Sequence, residues 1–346
     1  MKILITHELF PPDVHGGGEK VVYEIAKRLI DKGIEVQVLT TGDPKIKRYE
    51  NIPTVRLPIN RYLMNLAFPW ILKYAKKADL IQTNNYNACY PSYIAAKMSK
   101  TPIVCLIHGM YGNNWLRMRG PIFGTVSRTI EKFQICHDYE KVIFLSNFAK
   151  NAGIAIGIKR ELTEVIRPGI EFKKYRVKTK EKYVLFVGRL AKQKGLECLL
   201  KVAEELPNIE FKLVGKGEEE NKLKSIAPKN VSFLGFVTED KLIDLYSKAL
   251  IFCLPSIAET FGFVLLEAMA SGCAIVSTVP LDFEGIRIDT GDVRQLTKAI
   301  KYLIENPRIA EKMGKKNREI AKKYAWEKFI KKIISIYQNV LETKRI

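Results

Sequence analysis

Residues Lys2 to Leu9 form a short apolar run closed by Phe10-Pro11-Pro12, and Gly16-Gly17-Gly18 then opens a segment in which Val21, Val22, Ile25, Ala26, Leu29 and Ile30 recur at helical spacing. Gly33 supplies the stop, and Ile34 to Thr40 alternates into the next strand. Strand, helix and strand in that order predict a parallel sheet. Further strands are expected at Leu80 to Gln82, Ile103 to His108 and Val142 to Leu145, with helical segments between them. The rhythm restarts at Tyr183 to Val187. Helices over Gly195 to Leu206, Glu218 to Ile226, from the Thr238 cap, and over Gly262 to Ala270 then alternate with strands at Ile209 to Val214, Val231 to Phe236, Leu250 to Leu254 and Cys273 to Ser277. The expected fold class is α/β, with two doubly wound Rossmann-like domains facing across a cleft. Residues 1–172 form the first and 173–325 the second. A helix over 326–346, apolar along Phe329, Ile333, Ile336, Tyr337 and Val340, is expected to rejoin the first.

The chain has 346 residues, 47% of them hydrophobic and 27% charged, enough for two cores and too apolar for disorder. The longest apolar stretch, Phe261 to Pro280, is broken by Glu267, and Ile3 to Ile5 is too short for a signal core, so a cytoplasmic protein is expected. Six widely spaced cysteines without a Cys-x-x-Cys pair read as buried thiols. The formal net charge of +20 has two explanations. Either helix faces are simply solvated, or the partner is a polyanion: nucleic acid, anionic lipid or a phosphorylated substrate.

Ligands of such sheets collect outside the carboxyl ends of the strands. There the Gly16-Gly17-Gly18 loop is either an anion site at a helix N-terminus or a turn with no ligand, and it lacks the Gly-x-Gly-x-x-Gly dinucleotide pattern. His108-Gly109 ends a strand, where the imidazole is either structural or a polar contact to a reacting group; His7 is read the same way. Gly188-Arg189 at one strand end and Lys194-Gly195 before the next helix bring together two cations suited to a diphosphate leaving group, unless both are solvated loop residues. Gly215-Lys216-Gly217 is open enough for a flat nucleotide base. Between Pro255 and Gly272, Glu259 falls in a loop and Glu267 inside the next helix, with the amides of Phe261, Gly262 and Phe263 between them to cradle phosphate. The two carboxylates can accept hydrogen bonds from the hydroxyls of a hexose and a ribose. An amphipathic helix alone does not account for Glu267 on an apolar face.

With these segments the sequence resembles the retaining glycosyltransferases of family 4, which have the GT-B fold. The resemblance covers nearly the whole chain. It runs through Pro11-Pro12 and Gly16-Gly17-Gly18-Glu19, Ile107-His108-Gly109, Leu145 to Lys150, Arg167 to Glu171, Val187 to Leu190 with Lys194-Gly195, and the Glu259-x7-Glu267 segment. It implies that Arg189 and Lys194 hold the donor diphosphate, Glu267 binds the ribose, Glu259 contacts the transferred sugar, His108 touches that sugar near its 6-hydroxyl, and Gly17 and Gly18 approach the phosphates. Two departures stand out. The loop Val279 to Thr290 is shorter than the family's glycine-rich segment, and Glu171 replaces the usual aspartate.

The expected reaction is transfer of a hexose from a UDP- or GDP-sugar to an acceptor hydroxyl with retention. No cofactor is expected, and the absence of Asp-x-Asp predicts independence of metal. Arg61 to Tyr74 and Trp115 to Phe123 interleave aromatic and aliphatic groups with cations, which predicts either a lipid-linked saccharide acceptor at an anionic membrane surface or ordinary core helices. A nucleotide-sugar epimerase of the same fold is the competing enzyme. A nucleic-acid binder rests on charge alone and lacks any helix-turn-helix, zinc-finger or RNA-binding signature, so nucleic acid is not expected as a partner.

Overall fold

The structure, a computed structural model, describes residues 1–13 and 16–343. Two compact units divide the chain: one from Met1 to Pro168 that also takes the chain from Glu327 onward, and one from Gly169 to Trp326.

In the first unit β1 (Lys2–Thr6), α1 (Gly17–Asp31) and β2 (Glu35–Thr41) make the opening β-α-β unit. They are followed by β3 (Arg48–Tyr49), β4 (Ile52–Leu57), a 3-10 turn (Arg61–Leu66), α2 (Phe68–Ala75), β5 (Leu80–Asn84), α3 (Cys89–Ser99), β6 (Ile103–Ile107), α4 (Asn114–Ile135), β7 (Lys141–Phe144), α5 (Asn147–Ala155) and β8 (Thr163–Val165). The sheet runs β3-β4-β2-β1-β5-β6-β7-β8 and is parallel except for the β3–β4 pair. Ile3, Leu4 and Ile5 are all buried, as in a strand covered on both faces. Strand order reverses between β1 and β5, so the loops after those two strands diverge and leave a crevice at their carboxyl ends. His7 and Glu8 follow β1, and Asn85, Tyr86 and Asn87 follow β5.

The second unit repeats the plan with β9 (Glu181–Val187), α6 (Leu196–Glu205), β10 (Glu210–Val214), α7 (Glu220–Ile226), β11 (Val231–Gly235), α8 (Glu239–Lys248), β12 (Ala249–Leu254), α9 (Phe263–Ala270), β13 (Ala274–Ser277), β14 (Gly285–Arg287), α10 (Val293–Glu305) and α11 (Pro307–Ala321). Its six strands are ordered β11-β10-β9-β12-β13-β14 and all are parallel. The reversal falls between β9 and β12, which places Gly188-Arg189 and the loop carrying Glu259 at the crevice. Thr238 caps α8, its side chain accepting from Lys241 N. Helix α11 docks by a close approach. A Cβ on Gly314 would lie 2.1 Å from the Gly272 carbonyl oxygen, and the buried Asn317 amide donates to the carbonyls of Cys273 and Glu284 while accepting from Glu284 N.

Gly169 packs so tightly on Trp326 that an added Cβ would lie 2.2 Å from its backbone nitrogen, and Ile170 N donates to Tyr324 O nearby at 3.0 Å. The start and end of the second unit are thus clasped together. Helix α12 (Trp326–Thr343) then carries the chain back to the first unit, burying Phe329, Ile330, Ile333, Ile336 and Tyr337. Each such side chain contributes about 1.5–3 kcal/mol of burial. The last three residues of the helix expected over 326–346 lie outside the described residues.

Candidate active site

In the second unit the polar groups gather on glycine backbone. Gly188 ends β9, and Gly215 ends β10 at φ +127°, where a Cβ would come within 2.0 Å of the Gly188 carbonyl oxygen; only glycine fits. The Lys194 stem crosses this surface, its Cε 3.9 Å from where a Gly188 Cβ would stand. Gly195, at φ +67°, turns the chain into α6 and packs on Pro255. Ile257 N donates to Gln193 O at 2.8 Å, so the loop after β12 is stitched to the loop carrying Lys194. The outcome is an ion pair between Lys194 Nζ and Glu259 Oε2, with side chains only 16% and 13% exposed.

Beside this pair, Gly262 caps α9 in the left-handed region, its Cβ position 3.4 Å from Glu259 Cγ. Phe261 and Phe263 stack at 4.9 Å between ring centroids, and Phe261 also meets Tyr324. Their amides begin a helix, so no preceding turn supplies them with carbonyls. Glu267 lies one turn further. It accepts from the Tyr246 hydroxyl at 3.1 Å and lies near Tyr175, and burial together with the Glu267 charge raises the proton affinity of both tyrosines. Neither tyrosine was singled out by the sequence, because both sit in segments that read as core. Arg189 stands apart from Lys194. Its Nε donates to Glu218 Oε2 at 2.9 Å in an exposed pair, so the two cations expected to converge are held by different carboxylates. The shortened loop is closed by Arg287, which donates to Val279 O at 3.1 Å and to Leu281 O at 2.5 Å.

In the first unit Gly18 packs against the His108 ring, a Cβ there lying 3.5 Å from His108 Cγ, while Gly17 is exposed in the first turn of α1. His108 N donates to Asn85 Oδ1 at 2.9 Å, and its Nε2 meets Asn84 Oδ1 at 3.2 Å. The His7 ring lies 5.4 Å away. Burial, then the Arg61 charge, lowers His7 to about 3; burial, then His7, holds His108 well below the usual histidine range. Next to them Glu8 accepts from Arg61 at 2.7 Å, from Asn87 N at 3.2 Å and from Asn87 Nδ2. Burial outweighs these partners and raises its proton affinity. Glu131, reaching in from α4, accepts from Tyr111 N, Gly112 N and the Tyr86 hydroxyl and so fixes the loop after His108. Glu8, Arg61, Asn84, Asn87 and Glu131 have no local motif. Only topology brings them to the β1 and β5 ends. Among the described residues no three His, Cys, Asp or Glu side chains converge as a metal site.

Two family models match the chain: "Glycosyltransferase Family 4" over residues 15–174 and "Glycosyl transferases group 1" over 169–320. An uncharacterized glycosyltransferase of Methanocaldococcus jannaschii is 25% identical over 99% of both chains. A phosphatidyl-myo-inositol mannosyltransferase of Mycolicibacterium smegmatis is 26% identical over 95% of this chain and 91% of its own. Among solved structures, sucrose-phosphate synthase from Thermosynechococcus elongatus superposes with a TM-score of 0.85 over 99% of both chains at 20% identity. Anabaena HepE in complex with UDP-glucose superposes at 0.77 over 100% of this chain and 99% of its own at 22% identity. At such identities the structural likeness shows the fold.

Proposed function

Since the chain belongs to glycosyltransferase family 4 and has the GT-B fold, we propose that it transfers a hexose from a UDP- or GDP-sugar to an acceptor hydroxyl with retention of anomeric configuration. The observation that carries this reading is the Lys194–Glu259 pair, set over the Gly188 and Gly215 backbone beside the start of α9. In this reading Lys194 neutralises the departing diphosphate, the amides of Phe261, Gly262 and Phe263 bind its oxygens, and Glu259 takes hydroxyls of the transferred hexose. Arg189 joins the diphosphate by leaving Glu218. An exposed ion pair is worth at most about 1 kcal/mol, so this exchange is cheap. Glu267, already aligned by Tyr246, accepts from the ribose hydroxyls. Gly17 and Gly18 approach the donor phosphates, and His108 meets the hexose.

Retention follows from attack on the leaving-group face, with the donor phosphate taking the acceptor proton. The two cations replace a divalent metal, so chelation leaves the rate unchanged. The acceptor is lipid-linked, and the protein docks on an anionic membrane surface. Helix α4 supports this by exposing Ile122, Phe123, Val126, Ile130 and Phe133 alongside Arg117, Arg119 and Arg128, as do the turn exposing Tyr62, Leu63 and Leu66 and α2 exposing Trp70. The mannosyltransferase relative, whose name includes a phosphatidylinositol, points the same way. No described helix is long and apolar enough to cross a membrane.

The test is a thermal-shift panel of UDP- and GDP-sugars, followed by turnover with and without acceptor and by NMR of the product anomer. Lys194→Ala is expected to lower kcat/KM about 10²–10³-fold. Inversion, or turnover of the nucleotide sugar to its epimer without acceptor, would overturn the reading.

A further inference from the structure

Three buried polar side chains and the half-buried His108 in the first unit form a chain whose direction is set at one end. Asn84 places an amide atom 3.0 Å from the Thr6 carbonyl oxygen, and only its NH2 can face a carbonyl. Asn84 Oδ1 must then be the atom that meets Gln82 and His108, each at 3.2 Å. Gln82 therefore presents its NH2 to Asn84, and its Oε1 accepts from the Tyr337 hydroxyl on α12. Gln82, Asn84 and Tyr337 are fully buried, so no water competes for these bonds. At the far end His108 faces an acceptor and must carry its proton on Nε2. Its Nδ1 is left as a bare lone pair with no partner among the described residues. The backbone of His108 is held by Asn85, and Gly18 packs on the face of the ring.

We propose that Asn84, aligned by Gln82 and Tyr337, is a positioning residue that fixes the Nε2–H tautomer of His108 so that Nδ1 accepts a hydrogen bond from a hydroxyl of the substrate. This rests on the transfer reading above. The site is built for a neutral hydroxyl and not for a phosphate, since a lone-pair acceptor repels an anion. His7 is the titratable group facing the ring, and burial keeps both imidazoles neutral near neutral pH.

The first measurement needs no substrate. In ¹⁵N-histidine-labelled protein, two-bond proton–nitrogen spectra report which ring nitrogen carries the proton, the signal being assigned by its loss in His108→Gln. Nε2–H is expected; Nδ1–H overturns the proposal. Asn84→Leu, which keeps the size of the side chain and removes the acceptor facing Nε2, is expected to mix the two tautomers and to lower kcat about 3–10-fold with a smaller change in KM, the size of one lost hydrogen bond. A lower melting temperature with unchanged tautomer and unchanged kcat in Asn84→Leu would show a purely structural asparagine and overturn it. Asn84→Asp puts a carboxylate on Nε2 and raises the proton affinity of the ring. Its transfer rate is expected to fall as pH drops from about 8 to about 6, where the wild type stays flat. A flat profile in a folded Asn84→Asp overturns the use of the lone pair. Failure of the wild type to transfer any sugar would instead sink the transferase reading, while the tautomer result stands by itself.

Discussion

Two residues carry opposite obligations to their surroundings. Glu267 is a carboxylate in an apolar helix, made tolerable by the Tyr246 hydroxyl that donates to it and leaves acceptor capacity for a ligand. Glu267→Gln keeps the size and removes the charge. Donor affinity is expected to fall by about tenfold, in line with losing a charge-assisted hydrogen bond, while the melting temperature moves little; calorimetry with UDP and GDP checks it. His7 is the reverse case, a ring with both nitrogens buried and without a partner among the described residues. Its proton affinity in the folded state, about 3, lies below that of the unfolded chain, so the unfolded state takes up a proton first as pH falls from about 6.5. Stability is therefore lost through that window. His7→Leu should lose less than the wild type between pH 7 and pH 4, by as much as about 3 kcal/mol, in urea unfolding.

Helix α11 shows how one element is locked by a single polar side chain. Asn317 satisfies three backbone groups of the β13–β14 region at once, and Asn317→Leu would strand all of them. The expected loss is about 2–4 kcal/mol of unfolding free energy, read by denaturant titration. The long elements of both sheets were legible because apolar runs and helical periodicity survive in a sequence. Strands β3, β4, β8 and β14 were not. Three have only two or three residues, and β4 carries Pro53 and Arg56, whose guanidinium turns inward to the Phe10 and Pro11 carbonyls. Lys194 and Glu259 could be singled out from motif spacing. The supporting shell could not, because Tyr175 and Tyr246 look like core and Asn84, Asn87 and Glu8 meet only through strand order.

At the scale of the whole molecule, a net charge of +20 sets a field that attracts anionic surfaces, and the exposed apolar residues of α4 give such a surface something to hold. Sedimentation with anionic vesicles is expected at about 0.1 M salt and weakened at about 1 M, where the screening length shrinks from about 10 Å to about 3 Å. Replacing Ile122 and Phe123 together by Ser should reduce it without changing the melting temperature. Absence of salt-sensitive vesicle binding would remove the anionic membrane surface from the picture.

The return of α12 also sets an order of events. The ribosome makes the first sheet early, then all of Gly169 to Trp326, and only afterwards the helix that buries Phe329 and Ile333 and brings the Tyr337 hydroxyl to Gln82 of that sheet. At about 5–20 residues per second the wait is of the order of ten seconds or more. Meanwhile Gln82 has no Tyr337 to receive from, so the nascent chain is most vulnerable to capture or aggregation in the interval before α12 is made.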